Sequence, residues 1–214
     1  MRNKTPDFPK NRKDWNSFPA IFTKESLMIM NHQVMQRWET GYMKMLADIV
    51  TKNGGEVLEV GFGLGISARF IQKHKIKTHT IIESHPDVIK RCQKIYSEEI
   101  RNKKIVLLKG FWEDITYGLP KESFDGILFD TYPEIEQMSG KNHFFFFKEA
   151  YRLLKRGGIF TYYSDEATGF SKTHLQRLND AGFTDIKFNP CKINPPEDCN
   201  YWNKKSIIAP IIIK

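Results

Sequence analysis

Two groups of residues carry chemistry by their type and spacing. The first is the turn Glu59-Val60-Gly61-Phe62-Gly63-Leu64-Gly65, followed by an acid, Glu83, 20 positions after Gly63. Glycines let a backbone turn tightly and approach a ligand closely, and an acid at that distance can accept both hydroxyls of a ribose. Further on lies the acidic pair Glu113-Asp114, where a carboxylate suits an adenine amino group, with Trp112 beside it to stack on the base. Two nucleoside cofactors fit this pattern, NAD and S-adenosylmethionine. A structural turn accounts for the glycines alone, so the spaced acid gives the motif its weight. The second group is a pair of isolated carboxylates, Glu39 in Arg37-Trp38-Glu39-Thr40 and Asp130 in Phe129-Asp130-Thr131-Tyr132-Pro133. A planar, cationic guanidino group is matched by bidentate carboxylates. Their plain alternatives are a turn cap for Asp130 and an exposed ion pair for Glu39.

The elements that must position these residues alternate. Apolar residues at three- and four-residue steps (Met28, Met35, Trp38, Tyr42, Met45, Leu46, Ile49) predict a helix over residues 25–52 that places Glu39, stopped by Asn53-Gly54-Gly55. Strands are expected at 57–60, 78–82, 104–108, 124–130 and 159–163, with helices at 67–75, 86–96, 144–154 and 173–181. Lys155-Arg156-Gly157-Gly158 reads as the turn that closes the 144–154 helix, and residues 207–208 and 211–213 as apolar pieces flanking Pro210. Such alternation implies an α/β, doubly wound, mainly parallel sheet, whose ligands sit beyond the carboxyl ends of the strands. Residues 1–25, with three prolines and scattered aromatics, read as an arm that packs over something, and residues 26–214 as the main domain. The run Phe144-Phe145-Phe146-Phe147 reads as helix core with one spilled ring.

The remaining features bound the function. The 214 residues suit one α/β domain, and no apolar run approaches the roughly 20 residues needed to span a bilayer. The basic N-terminus has no apolar stretch, so no secretion signal is expected. Three widely spaced cysteines (Cys92, Cys191, Cys199) suggest a reducing compartment, and a cytoplasmic location is expected. No thiolate pair or histidine spacing points to a metal. The net charge of +8 is spread along the chain, which favours a solvated basic surface over a nucleic-acid interface. A monomer or homodimer is expected.

The Glu-x-Gly-x-Gly turn and Leu153-Leu154-Lys155-Arg156-Gly157-Gly158 resemble class I methyltransferases, which favours S-adenosylmethionine over NAD. Methyl transfer from a sulfonium is an in-line displacement that needs a positioned, neutral nucleophile and a proton acceptor. If the nucleophile belongs to a guanidine, its positive charge must share a dry site with a cationic donor, and carboxylates must neutralise it. More specifically, residues 34–43, 54–67, 81–84, 108–114, 124–133, 152–163 and 195–202 resemble guanidinoacetate N-methyltransferase, to which δ-N-arginine methyltransferases are related; the blocks RWET, VGFG, WED and DTYP carry the likeness. The resemblance implies a seven-stranded, Rossmann-like sheet with helices on both faces and an N-terminal lid. It implies that Glu39 and Asp130 grip the guanidino group, with Asp130 the proton acceptor, that Met35 lines the substrate pocket and that Trp15 lies over the ligands. Met43, the turn Phe62, Gly63, Leu64, Gly65, Ile66 and Ser67, together with Glu83, Ser84, His85, Trp112 and Glu113, would contact S-adenosylmethionine.

One departure bears on the substrate. Where the family presents a neutral Leu-Thr pair to the substrate's carboxylate, this chain has Asp165-Glu166, and the segment after it is shorter. Two acids would repel an anionic tail. A small-molecule guanidine, guanidinoacetate-like or arginine-derived, is expected, with a cationic or neutral tail fitting better; an arginine in a peptide or protein is the alternative. A non-catalytic cofactor-binding protein is disfavoured by the intact Glu39 and Asp130. A nucleic-acid amine methyltransferase is disfavoured because DTYP places its proline one position too late for an N/D-P-P-Y/F motif.

Overall fold

The computed structural model describes residue 8, residues 11–133 and residues 140–214; most of the first ten residues of the expected arm lie outside that set. The chain opens with α1 (Arg12–Trp15) and an antiparallel sheet of β1 (Ala20–Phe22), β2 (Ser26–Ile29) and β3 (His32–Gln36). A 3-10 turn (Arg37–Glu39) leads into α2 (Thr40–Val50). Strands and helices then alternate: β4 (Glu56–Val60), α3 (Ile66–Ile71), β5 (Thr78–Glu83), α4 (Pro86–Ile95), α5 (Ser97–Arg101), β6 (Ile105–Lys109), α6 (Trp112–Ile115) and β7 (Phe124–Phe129). They are followed by α7 (Asn142–Leu153), β8 (Leu154–Tyr162), α8 (Lys172–Asp180), β9 (Asp185–Lys192) and β10 (Ser206–Ile213).

The main sheet has seven strands in the order β6-β5-β4-β7-β8-β10-β9. The first five are parallel, and β10 runs antiparallel to both β8 and β9. Its central strands are apolar along most of their length (Val57, Leu58, Val60; Ile81, Ile82; Ile127, Leu128, Phe129), as expected of parallel strands covered on both faces. One face packs on α2, α3 and α4 through Leu46, Val50, Ile71 and Val88. The other packs on α7 and α8 through Phe146, Phe147, Leu153 and Leu178. Phe145 is the ring that spills out, 60% exposed. The expected doubly wound, Rossmann-like architecture, with helices on both faces of a seven-stranded sheet, is thus present.

Three expectations fail locally. The helix predicted over residues 25–52 begins only at Thr40, and residues 26–36 form a hairpin instead. Met30 and Asn31 both take positive φ (50° and 62°), the geometry of a two-residue hairpin turn that Asn tolerates well. Leu27 and Ile29 bury at a period of two, so strand pairing and core contact override the helical spacing seen in the methionines. Residues 155–158 are not a free turn but the bulged start of β8, where the register with β7 steps from Phe124↔Leu154 to Gly126↔Ile159. The two apolar pieces around Pro210 are one strand, β10, paired along its length with β9, an exposed edge strand that lacks any alternating apolar signal.

The order reverses between β4 and β7, so the carboxyl end of β4 lies at the switch point where such sheets bind ligands. Tyr42 of α2 braces that end of the sheet: its buried hydroxyl donates to Ile208 O (2.9 Å) and accepts from Ser164 N (3.4 Å). Tyr42→Phe leaves Ser164 N without this acceptor, while Ile208 O keeps its bond from Ser164 Oγ (2.8 Å), and should lower unfolding free energy by about 1–3 kcal/mol in urea titrations; an unchanged midpoint would contradict the brace.

Candidate active site

The glycine-rich turn is shaped by close approach. Gly61 has φ +90°, and a Cβ there would lie 2.1 Å from Asp130 O. Asp130 N in turn donates to Val60 O (2.9 Å), so the ends of β4 and β7 are held together. A Cβ on Gly63 would meet Met35 Sδ at 2.9 Å. Glu83 ends β5 and organises the turn: Oε2 accepts from Phe62 N (2.9 Å), while Oε1 accepts from Ser84 N (2.8 Å) and His85 N (2.9 Å). An ionised carboxylate has about four acceptor sites, which leaves room for one more donor.

These residues line a cavity with Gly61, Gly63, Glu83, Ser84 and His85 on one side and Trp112 and Asp130 on others. The N-terminal arm reaches it. Trp15, 3% exposed, stacks on Tyr132 (5.5 Å between ring centres, 10°). Asn16 Nδ2 donates to Ser84 O (3.0 Å), and His85 Nε2 donates to Phe18 O (2.9 Å).

A second cavity adjoins the first across a shared wall of Val34, Asp130, Thr131 and Tyr132. Three carboxylates line it: Glu39, Asp130 and Asp165. Glu39, expected on a helix, sits in the 3-10 turn ahead of α2 and is 3% exposed. Its Oε1 accepts from Gln36 N (2.8 Å) and from Tyr201 OH (2.5 Å). The loop after Asp130 is tied down by Asn142 Nδ2, which donates to Thr131 O.

A family model described as guanidinoacetate N-methyltransferase matches residues 9–214. The chain belongs to the guanidinoacetate N-methyltransferase family. The family is one of methyltransferases, and S-adenosylmethionine is the cofactor that goes with it. Proteins described as protein arginine N-methyltransferase 2 are also similar. That of Candida glabrata is 39% identical over 122 residues, 53% of this chain and 29% of the relative. That of Saccharomyces cerevisiae is 31% identical over 153 residues (68% and 35%), and that of Aspergillus fumigatus 28% over 183 residues (80% and 42%). The chain therefore spans less than half the length of these curated relatives. Among solved structures, spermidine synthase from Thermotoga maritima superposes with a TM-score of 0.65 at 16% identity, covering 91% of this chain and 72% of that one. An O-methyltransferase from Bacillus cereus in complex with SAH gives 0.56 at 13%, covering 84% and 82%. These likenesses are of fold.

For this member of the family, the first cavity fits such a cofactor on its own terms: a glycine cradle that side chains would fill, an acid with a spare acceptor site at the end of β5, and Trp112 at the wall. Met43, Phe62, Leu64, Gly65, Ile66 and Ser67 line neither cavity; Met43, Phe62, Leu64, Ile66 and Ser67 are buried. Glu113 borders a separate shallow hollow with Tyr117 and Phe145. The expected pair Asp165-Glu166 is split: Glu166 turns toward α8, with Oε1 3.4 Å from His174 Nδ1 and accepting from Ser171 N (3.0 Å). Sequence reasoning missed Tyr201, His143 and Tyr163. Tyr201 lies in the tail block that carries part of the family likeness; His143 and Tyr163 gave no motif signal. Among the described residues, no group of three or more His, Cys, Asp or Glu side chains could hold a metal, and no helix is long and apolar enough to cross a membrane.

Confining the acids raises their pKa values. Burial, then Asp130, pushes Glu39 up to about 8 against hydrogen bonds from Gln36 and Tyr201. Burial, then Glu59 and Asp165, pushes Asp130 up to about 7. A carboxyl whose folded pKa is raised contributes stability at acid pH that is lost as pH rises toward the folded value. Asp130→Asn and Glu39→Gln should therefore raise Tm by a few degrees above pH 8, with the gain shrinking toward pH 4.5. A gain independent of pH, or a loss at high pH, in thermal melts would show that these carboxyls are not held in this way.

Proposed function

We propose that this chain is an S-adenosylmethionine-dependent arginine N-methyltransferase that acts on the guanidino group of an arginine in a peptide or protein. The observation that carries it is the second cavity: Glu39, Asp130 and Asp165 line it, no lysine or arginine does among the described residues, and it shares Asp130 with the cavity that fits the donor. A guanidinoacetate-like molecule would bring a carboxylate that nothing there balances. That ground disfavours guanidinoacetate itself; the names of the similar fungal proteins support an arginine in a peptide or protein over the small-molecule guanidine expected from sequence.

When bound, S-adenosylmethionine would supply an electrophilic methyl group on a positively charged sulfur, which keeps the C–S bonding pair and departs as a neutral thioether. Asp130 and Glu39 hold the guanidinium by paired, charge-assisted hydrogen bonds and orient one nitrogen toward the donor cavity. As that nitrogen forms its new bond to carbon, Asp130 takes the proton it loses. Tyr201 keeps Oε1 of Glu39 fixed, so its other oxygen serves the substrate. Glu83 takes the ribose, and Met35, on β3 against Gly63, lines the first cavity rather than the substrate cavity expected for it from sequence. Residues 1–25 act as a lid arm, with Trp15 over the ligands, on a methyltransferase domain of residues 26–214.

Incubated with labelled S-adenosylmethionine and an arginine peptide, Asp130→Asn should lose turnover by about a hundredfold or more while still binding the donor. The wild-type kcat/KM should fall as pH drops below about 8 and more steeply below about 7, because both acids must be ionised to accept the guanidinium. Full activity in the variant, or a rate that rises toward acid pH, would refute the assignment.

A further inference from the structure

The second cavity holds one more carboxylate than a guanidino group and a sulfonium require. Glu39 and Asp130 already oppose those two positive charges. Asp165 borders the same cavity, its side chain 34% exposed, with Oδ2 3.5 Å from Nδ1 of His143. That imidazole is 1% exposed, lines the cavity, and has no hydrogen-bond partner on either nitrogen. It is packed nearly parallel to Tyr162 (5.3 Å, 17°) and His174 (5.1 Å, 22°), which fixes its plane.

Among the described residues, no cation balances Asp165. Burial, and then His174, push His143 down to about 3, so the ring is neutral near pH 7. His174 is engaged by Glu166 and by Tyr162 OH (2.7 Å), on the far side of the stack. Asp165 also sits at φ 54°, a left-handed conformation that Asp, like Asn, tolerates. An uncompensated charge and unpartnered buried nitrogens are both unfavourable unless a ligand completes them.

Resting on the arginine reading above, we propose that Asp165 and His143 form a second subsite, which takes a positively charged side chain next to the target arginine. An ammonium or guanidinium there donates to Asp165 and to the open imidazole nitrogen, and brings the three acids into balance. The protein's net charge of +8 opposes a basic peptide at long range, but salt screens that repulsion over about 10 Å, whereas the acids act at contact.

The test compares peptides with one arginine flanked by lysine or by norleucine, a neutral side chain of similar reach. With wild-type protein and labelled S-adenosylmethionine, kcat/KM should favour the lysine peptide by about tenfold. In Asp165→Asn the ratio should fall to near one; Asn accepts the left-handed backbone readily, so the variant retains its fold. Equal rates on wild type, or a preference that survives Asp165→Asn, would overturn the subsite and leave the arginine reading standing. Turnover of neither peptide would remove both.

Discussion

Carboxylates in a confined cavity repel one another and resist ionisation, and the site is organised around that constraint. Glu39 and Asp130 are both pushed up to near neutral pH by burial, and Asp165 and Glu59 add to the effect on Asp130. No lysine or arginine relieves them among the described lining residues. Left alone, such a cluster is a liability, and it is worth keeping only if a cation arrives to complete it. A guanidinium beside a cationic methyl donor meets that requirement, because the acids neutralise both charges and can take the proton the acceptor nitrogen must lose.

The fold exists, at this site, to hold those acids against their repulsion. The end of β7 carries Asp130, locked to β4 by its backbone and by the absence of a side chain at Gly61. The hairpin β2–β3 delivers the chain into the 3-10 turn of Glu39, whose carboxylate is pinned by Gln36 N and Tyr201 OH. Tyr201 arrives from the loop between β9 and β10, and that loop is itself clamped to the hairpin: Gln33 donates to Asp198 O and accepts from Asn200 N. Segments at opposite ends of the chain thus converge on one carboxylate.

Much of this was legible in the sequence because it is written in local patterns. The parallel strands read as short apolar runs, the turn as spaced glycines, and Glu83 and Asp130 as acids at strand ends, so the sheet, its switch point and the glycine-lined cavity there followed. What was not legible is set by tertiary contact. The methionine spacing of residues 25–52 mimics a helix, whereas burial of Leu27 and Ile29 at a period of two, with the Met30-Asn31 turn, makes a hairpin. Asp165 and Glu166 are indistinguishable as neighbours in sequence, yet the loop after β8 sends one to the cavity and the other to His174. Tyr201 and His143 act through partners more than 20 residues distant, a relation that no spacing rule encodes.

The central claim, that a guanidinium is gripped between Glu39 and Asp130 beside the donor cavity, is tested most directly by a crystal structure of the protein with S-adenosylhomocysteine and an arginine peptide. The account predicts guanidino nitrogens about 2.7–2.9 Å from oxygens of both carboxylates, with one nitrogen facing the sulfur. An arginine seated elsewhere, with these two carboxylates turned away from it, would contradict the account.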